Sequence, residues 1–215
     1  MTTNIKAVIF DLDGVLTDTS EYHFQAWKHL ADDEGIPFTR EENDAHLRGV
    51  GRRESLLYLL KGRKVSEAQM QEMMDRKNRY YNELIKNMTP KEVVPGGIEL
   101  LQEIRRAGLK TAIASASKNA RTVLERLEIV PYFDGIADGY CVVRSKPEPD
   151  IFIFAAGLVE TPTTACVGIE DAEAGVEAIK TAGMRAIGVG PKERFAGADK
   201  VLSDFANKTL QDLLS

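Results

Sequence analysis

The amino-acid sequence predicts an α/β fold: a parallel sheet between helices, with an all-helical domain inserted after the first strand. Three observations predict it. Short apolar runs alternate with helical patterns through the second half of the chain, which is the signature of βαβ units. A long interval after the first apolar run, from Leu12 to about Glu92, holds helical patterns and no strand pattern. Several runs end in polar or acidic groups, the first of them in Asp11 and Asp13.

Taken in order, the first strand is expected at Ala7 to Phe10. The insert follows. "SEYHFQAWKHLADDEG" reads as a helix ending on Gly35, and "TREENDAHL" opens with a capping box of Thr39 and Glu42. A second capping box, Ser66 and Gln69, opens a helix that carries Met70, Met73, Met74, Lys77 and Tyr81 at helical spacing. A βαβ crossover needs only about a dozen residues, and this insert is several times longer. Ligands bind off the carboxyl ends of the strands in an open α/β sheet, so the insert is expected to act as a cap over the active site. The expected domains are residues 1–16 plus 92–215 for the core and 17–91 for the cap.

Beyond the insert, "GGIELLQEIRRAGLK" places Ile98, Leu101 and Ile104 on one helix face, with Gly108 as C-cap. Strands are expected at Thr111–Ser117, Gly135–Asp138, Ala165–Asp171 and Arg185–Gly190, with "KVLSD" as an added edge. Helices are expected at Asn119–Leu127, Asp150–Leu158 and Ala172–Ala182. The resulting architecture is a Rossmann-like parallel sheet core with an inserted all-helical cap domain.

Composition narrows the function classes. The 215 residues suffice for a core domain plus a smaller module. A net charge of −5 argues against nucleic acid as a partner. The N-terminal "MTTNIKAVIFD" lacks an apolar h-region, and the longest uncharged apolar run, "IFIFAAGLV", is too short to cross a bilayer. The expectation is a cytoplasmic monomer that binds neither membrane nor nucleic acid. Cys141 and Cys166 form no CxxC and no metal spacing, and read as reduced thiols.

The chemistry gathers at the strand ends. Residues two apart in a strand point to the same side, so Asp11 and Asp13 project together while Leu12 faces the core. Two such acids repel and favour each other's protonation. A metal ion, a positive side chain or a chemical task must offset them. Gly14 permits the sharp departure that follows. Ser115 and Ser117, with Lys118 and Asn119, lie where the second strand turns into its helix, a setting suited to anions. Lys146, in "SKPEPD", precedes the next helix, and Glu170 and Asp171, in "GIEDA", close the fourth strand. Each alone has a bland reading, as a helix cap or a solvated charge. Together, four carboxylates and one lysine suit a hard cation such as Mg²⁺ beside a phosphoryl group.

"DLDGVLTD", the Ser115 turn, Lys146 before Pro147 and "GIEDA" resemble the four motifs of the haloacid dehalogenase superfamily, in its phosphatase and phosphomutase branch. "TDTSEYHFQAW", "LRGVGRRES", "RKN", "ASASKN" and "SKPEPDIF" are similar to the β-phosphoglucomutase family, which interconverts β-glucose 1-phosphate and glucose 6-phosphate through a bisphosphate. The resemblance implies Asp11 as nucleophile forming an aspartyl phosphate, Asp13 as general acid/base and Lys146 as catalytic cation. It implies Mg²⁺ held by Asp11, the main-chain carbonyl of Asp13 and Asp171, with Glu170 alongside. Thr19 would stand at the cap hinge. His23, Trp27, Arg48, Gly49, Arg52 and Lys77 would bind substrate from the cap, and Ser115, Ala116, Ser117, Lys118 and Asn119 from the core. Without the resemblance, His23 beside Trp27 reads as plain packing. Arg48 and Gly51 stand where the family usually has lysine and serine, a departure that bears on substrate preference. The alternatives are a phosphatase on the same machinery and a catalytically inert binding protein. The complete set of Asp11, Asp13, Lys146 and Asp171 argues against the last.

Overall fold

The structure, a computed structural model, describes residues 5–47 and 50–215. The chain forms two compact units, Met1–Asp18 with Thr89–Ser215, and Thr19–Met88. The first unit is built on six strands: β1 (Ala7–Phe10), β2 (Lys110–Ala114), β3 (Gly135–Ala137), β4 (Cys166–Glu170), β5 (Arg185–Val189) and β6 (Lys200–Leu202). They form one sheet in the order β3-β2-β1-β4-β5-β6, and every pairing is parallel. β1 and β4 are buried along their whole length, as an all-parallel sheet covered on both faces requires.

Among the described residues, the second unit holds four α-helices, α1 (Ser20–Asp33), α2 (Arg40–His46), α3 (Arg52–Leu59) and α4 (Glu67–Leu84). Both expected capping boxes form. Thr39 Oγ1 accepts the Glu42 N–H at 3.2 Å while Glu42 accepts the Thr39 N–H at 3.0 Å. Ser66 and Gln69 exchange bonds of 3.2 and 2.9 Å at the start of α4. The core of this unit joins Trp27 and Leu30 of α1 to Phe38, Leu56, Leu59, Met70 and Met73. Met74, expected with them, is only half-buried. Within the described residues, no helix is long and apolar enough to cross a membrane.

Among the described residues, five further α-helices belong to the sheet unit: α5 (Gly97–Arg106), α6 (Ala120–Arg126), α7 (Asp150–Leu158), α8 (Glu173–Thr181) and α9 (Leu210–Leu214). α7 packs on β1, β2 and β3, and α8 on β4 and β5. Ala7 and Ile9 join Phe152, Val176 and Ile179 in one apolar cluster. Three details differ from expectation. β2 ends at Ala114 because the hydroxyls of Ser115 and Ser117 accept the N–H groups of Ser117 and Asn119, curling the chain out of the sheet. Leu100 replaces Ile98 in the buried face of α5, and Ala107 caps that helix with Gly108 one residue beyond at φ +74°. α9 was not expected, since five residues are too few to show a period, although Thr209 and Asp212 form its capping box.

The helical unit buries a lysine. Lys77 is 2% exposed, and its ammonium lies 2.9 Å from His23 Nδ1. The ammonium also stands 5.0 Å from the Trp27 ring and 4.9 Å from that of Tyr81, on which His23 stacks. An ammonium can only donate, so His23 Nδ1 accepts and its proton sits on Nε2. Burial, then Lys77 and Arg52, hold the imidazole well below its ordinary pKa. In the unfolded chain the same imidazole takes a proton near pH 6.5. Below that pH the unfolded state binds the extra proton, so stability falls by about 1.4 kcal/mol per pH unit until the folded-state value is reached. Replacing His23 by glutamine removes this contribution. Urea midpoints of the full chain at pH 7.5 and 5.5 are therefore expected to diverge more for the wild type than for His23→Gln, and equal shifts would contradict a neutral imidazole in the folded unit.

Candidate active site

The sheet order positions the site. β1 lies between β2 and β4, and Phe10 is in register with Ile169. The Asp11 N–H extends this ladder by bonding the Ile169 carbonyl at 2.9 Å. Asp11 and Glu170 therefore stand next to each other one step on, at the carboxyl ends of the two strands. The order also reverses at this pair, β2 and β3 lying on one side and β5 and β6 on the other. Such a switch point is where ligand sites of open α/β sheets form.

Lys146, from the loop between β3 and α7, resolves the repulsion between the two acids. Its Nζ lies 2.5 Å from Asp11 Oδ1 and 2.5 Å from Glu170 Oε1, and its side chain is 2% exposed. The second Glu170 oxygen accepts the Ala172 N–H at 2.8 Å, just before α8. Asp171 is buried beside them, and ligand atoms of Asp11, Glu170 and Asp171 all lie within 4.8 Å of one another. Two glycines make room for these acids. At Gly14, whose φ is +86°, a Cβ would fall 2.2 Å from Asp171 Oδ2. At Gly175 it would fall 1.9 Å from Glu170 Oε1.

The electrostatics follow from this crowding. Burial alone would lower the Lys146 pKa, but Asp11 and Glu170 hold it above the ordinary lysine value. Burial pushes the Asp11 carboxyl well above the usual carboxylate range; Lys146 opposes the shift, and Glu170, Asp13 and Asp171 add to it. Three buried acids, Asp11, Glu170 and Asp171, gather about one ammonium, and Asp13 acts on Asp11 from nearby, so the centre carries excess negative charge. That charge, and a donor set made only of oxygens, fit a hard dication.

The turn after β2 is pre-formed. Ser115 Oγ accepts the Ser117 N–H at 3.0 Å, Ser117 Oγ accepts the Asn119 N–H at 3.2 Å, and the Ser115 N–H bonds Ala137 O at 3.0 Å. Ser115 and Asn119 are buried, Ala116 and Ser117 are half-buried, and Lys118 is exposed.

Of the residues expected from sequence, the structure gathers Asp11, Lys146, Glu170 and Asp171 into one contact set. Asp13 is half-buried, pairs through its main chain with Thr17, and its carboxylate is not among the three that converge. His23, Trp27 and Lys77 meet inside the helical unit, and Arg52 Nη2 donates to Asn78 Oδ1 at 2.9 Å, next to Lys77 in sequence. Thr19 is buried at the start of α1. Arg48 and Gly49 lie outside the described residues. Sequence reasoning missed Gly175 and Arg194, whose Nη1 donates to the Asp171 carbonyl at 3.3 Å. A glycine inside the helical pattern of α8 was a signal for the first; nothing local marked the second.

Comparison with known proteins extends these observations. The chain matches the haloacid dehalogenase-like hydrolase family over residues 5–183. It is 46% identical over 211 residues to the β-phosphoglucomutase of Bacillus subtilis, covering 96% of this chain and 93% of that one. It is 32% identical to the phosphorylated carbohydrates phosphatase of Thermotoga maritima, over 85% of this chain and 84% of the other. The crystal structure of a β-phosphoglucomutase (pgmB) from Clostridium difficile matches with a TM-score of 0.94 at 38% identity, covering 97% of this chain and 95% of that one. Likeness of this extent in both sequence and fold assigns the chain: it belongs to the haloacid dehalogenase-like hydrolases, among the enzymes of their phosphomutase and phosphatase branch.

Proposed function

We propose that this enzyme is a β-phosphoglucomutase, interconverting β-D-glucose 1-phosphate and D-glucose 6-phosphate. The observation that carries the chemistry is the buried Lys146 ammonium shared by Asp11 and Glu170. The likeness to the B. subtilis enzyme supports the choice of reaction. An Asp11 oxygen attacks one phosphorus of a priming sugar bisphosphate, the bond from that phosphorus to the sugar oxygen breaks, Asp13 gives its proton to the departing oxygen, and a sugar monophosphate leaves. The aspartyl phosphate then passes its phosphoryl group to a hydroxyl of the other sugar phosphate, whose proton returns to Asp13. The bisphosphate so formed turns round and gives up its other phosphoryl group to Asp11. Lys146 compensates the phosphoryl charge during each transfer.

Asp11, Asp171 and the Asp13 carbonyl would hold Mg²⁺, which when bound shields the phosphoryl oxygens from the attacking carboxylate. Both Glu170 oxygens are engaged, by Lys146 and by the Ala172 N–H. Glu170 therefore orients Lys146 and the turn into α8. The Ser115–Asn119 turn and the cations Arg52 and Lys77 of the helical unit would bind phosphate groups, with His23 and Trp27 beside them. Arg48 and Gly49 are assigned to the same group by resemblance. Thr19, where the helical unit begins, is assigned the hinge.

A phosphatase is the second reading, favoured by the 32% identity to the T. maritima phosphatase. The two differ in whether water or a sugar hydroxyl receives the phosphoryl group.

Asp11→Asn is expected to lower turnover on the order of 10⁴-fold or more, because the amide lacks the nucleophilic charge. Phosphoryl-enzyme, read by intact-protein mass spectrometry, should vanish in the same variant; near-normal turnover would displace Asp11 as nucleophile. Asp171→Ala should raise the Mg²⁺ concentration for half activity about tenfold or more, and full activity of the wild type in excess chelator would remove the ion from the reaction. The choice between the two readings rests on β-glucose 1-phosphate supplied with a trace of bisphosphate and scored for glucose 6-phosphate against free phosphate. Glucose 6-phosphate should dominate, and Arg52→Ala should depress its formation about a hundredfold, as misplacement of the remote phosphate would. Hydrolysis of the phosphoryl-enzyme should change far less. Faster release of free phosphate by the wild type would select the phosphatase.

A further inference from the structure

Lys118, in the turn between β2 and α6, is solvent-exposed, and its ammonium lies 4.9 Å from the centroid of the Tyr140 ring. Tyr140 belongs to the loop after β3 and is 69% exposed. An aromatic ring on a surface loop would ordinarily be left to move. Here the loop is tied down beneath it. Asp138 Oδ1 accepts the Tyr140 N–H at 2.9 Å, and the Asp138 carbonyl accepts the Cys141 N–H at 2.9 Å. The Gly139 N–H donates to the Ser117 carbonyl at 3.1 Å, joining this loop to the turn that carries Lys118. The join is tight: a Cβ on Gly139 would fall 2.4 Å from the Ala116 carbonyl oxygen and 3.0 Å from Lys118 Cγ.

The choice of partner matters. Lys180 and Lys110, exposed lysines of the same unit, lie against the carboxylates of Asp199 and Asp134. A carboxylate cancels the charge it holds. A ring face attracts the cation through its quadrupole and leaves the net charge intact. It also covers one side of the ammonium only, so that the remaining N–H groups can donate to an anion. A free lysine would spread over many rotamers, and holding it in one before the anion arrives removes part of that entropic cost from binding.

We propose that Tyr140 is a positioning residue, which seats the Lys118 ammonium at the Ser115–Asn119 turn for a phosphate dianion of the substrate. The proposal rests on the reading of that turn as a phosphate site. The test uses the full chain, inorganic phosphate as probe by titration calorimetry, and steady-state kinetics on the sugar phosphate. Tyr140→Ala should weaken phosphate binding about three- to fivefold, the size of a surface cation–π contact. It should raise KM by a similar factor, more than it lowers kcat. Tyr140→Phe should behave as wild type, since the ring face and not the hydroxyl meets the ammonium. Lys118→Met should weaken phosphate further, and adding Tyr140→Ala to it should change nothing more. Wild-type affinity in Tyr140→Ala, loss in Tyr140→Phe, or additive effects in the double variant would each overturn the positioning role while leaving the turn as a phosphate site. Wild-type affinity in Lys118→Met would overturn the turn reading, and the proposal with it.

Discussion

The bridge from Lys146 to Asp11 and Glu170 is the interaction on which the rest of the catalytic unit depends. Parallel pairing of β1 with β4 forces two carboxylates side by side at the edge of a buried sheet. Taking charges out of water costs several kcal/mol per ion, and mutual attraction offsets this only when geometry is good. One ammonium at 2.5 Å from both acids provides that geometry. Its compensation is incomplete by design of the cluster, since Asp13 and Asp171 add further negative charge nearby. On the reading proposed above, that excess of negative charge is what a bound dication would offset.

Around His23 in the helical unit the local charge has the opposite sign. Lys77 is buried against His23 and two aromatic rings, and Arg52 adds a second positive charge that acts on the same imidazole. Keeping His23 neutral lets it accept from Lys77 where an imidazolium would repel it. A cation held on rings and a neutral imidazole keeps its charge uncancelled. Lys118 on Tyr140 follows the same rule at the other unit's surface. Carboxylates thus gather where the proposed Mg²⁺ would sit, and aromatic faces hold the cations proposed to meet an anion.

Much of this was legible in the sequence, for reasons that differ by element. The six strands declared themselves as short apolar runs between helical patterns, and the insert as an interval with no strand pattern. Capping boxes at Thr39 and Ser66 work within four residues, so their signature is local and held. The end of β2 was misjudged because "TAIASAS" has the alternation of a strand, while serine hydroxyls compete for the backbone N–H groups. Lys146 read on its own as a solvated charge. Its contact with Asp11 spans 135 positions, and no local pattern encodes such a distance. The roles of Gly175 and Tyr140 are likewise products of packing, where the neighbour that gives the residue its meaning is remote in the chain.

The strand order also bears on how the chain comes off the ribosome. β1 precedes the other described elements in the chain, yet its two sheet neighbours are β2, at Lys110–Ala114, and β4, at Cys166–Glu170. At synthesis rates of about 5–20 residues per second, the wait for β4 lasts on the order of 8–30 seconds. Through that interval "AVIF" has an unsatisfied hydrogen-bonding edge, while the helices of Thr19–Met88, a compact unit complete well before β4 is made, can already assemble. β1, buried along its whole length in the finished sheet, is therefore the strand that waits longest for its second neighbour, and meanwhile that edge can pair with another chain.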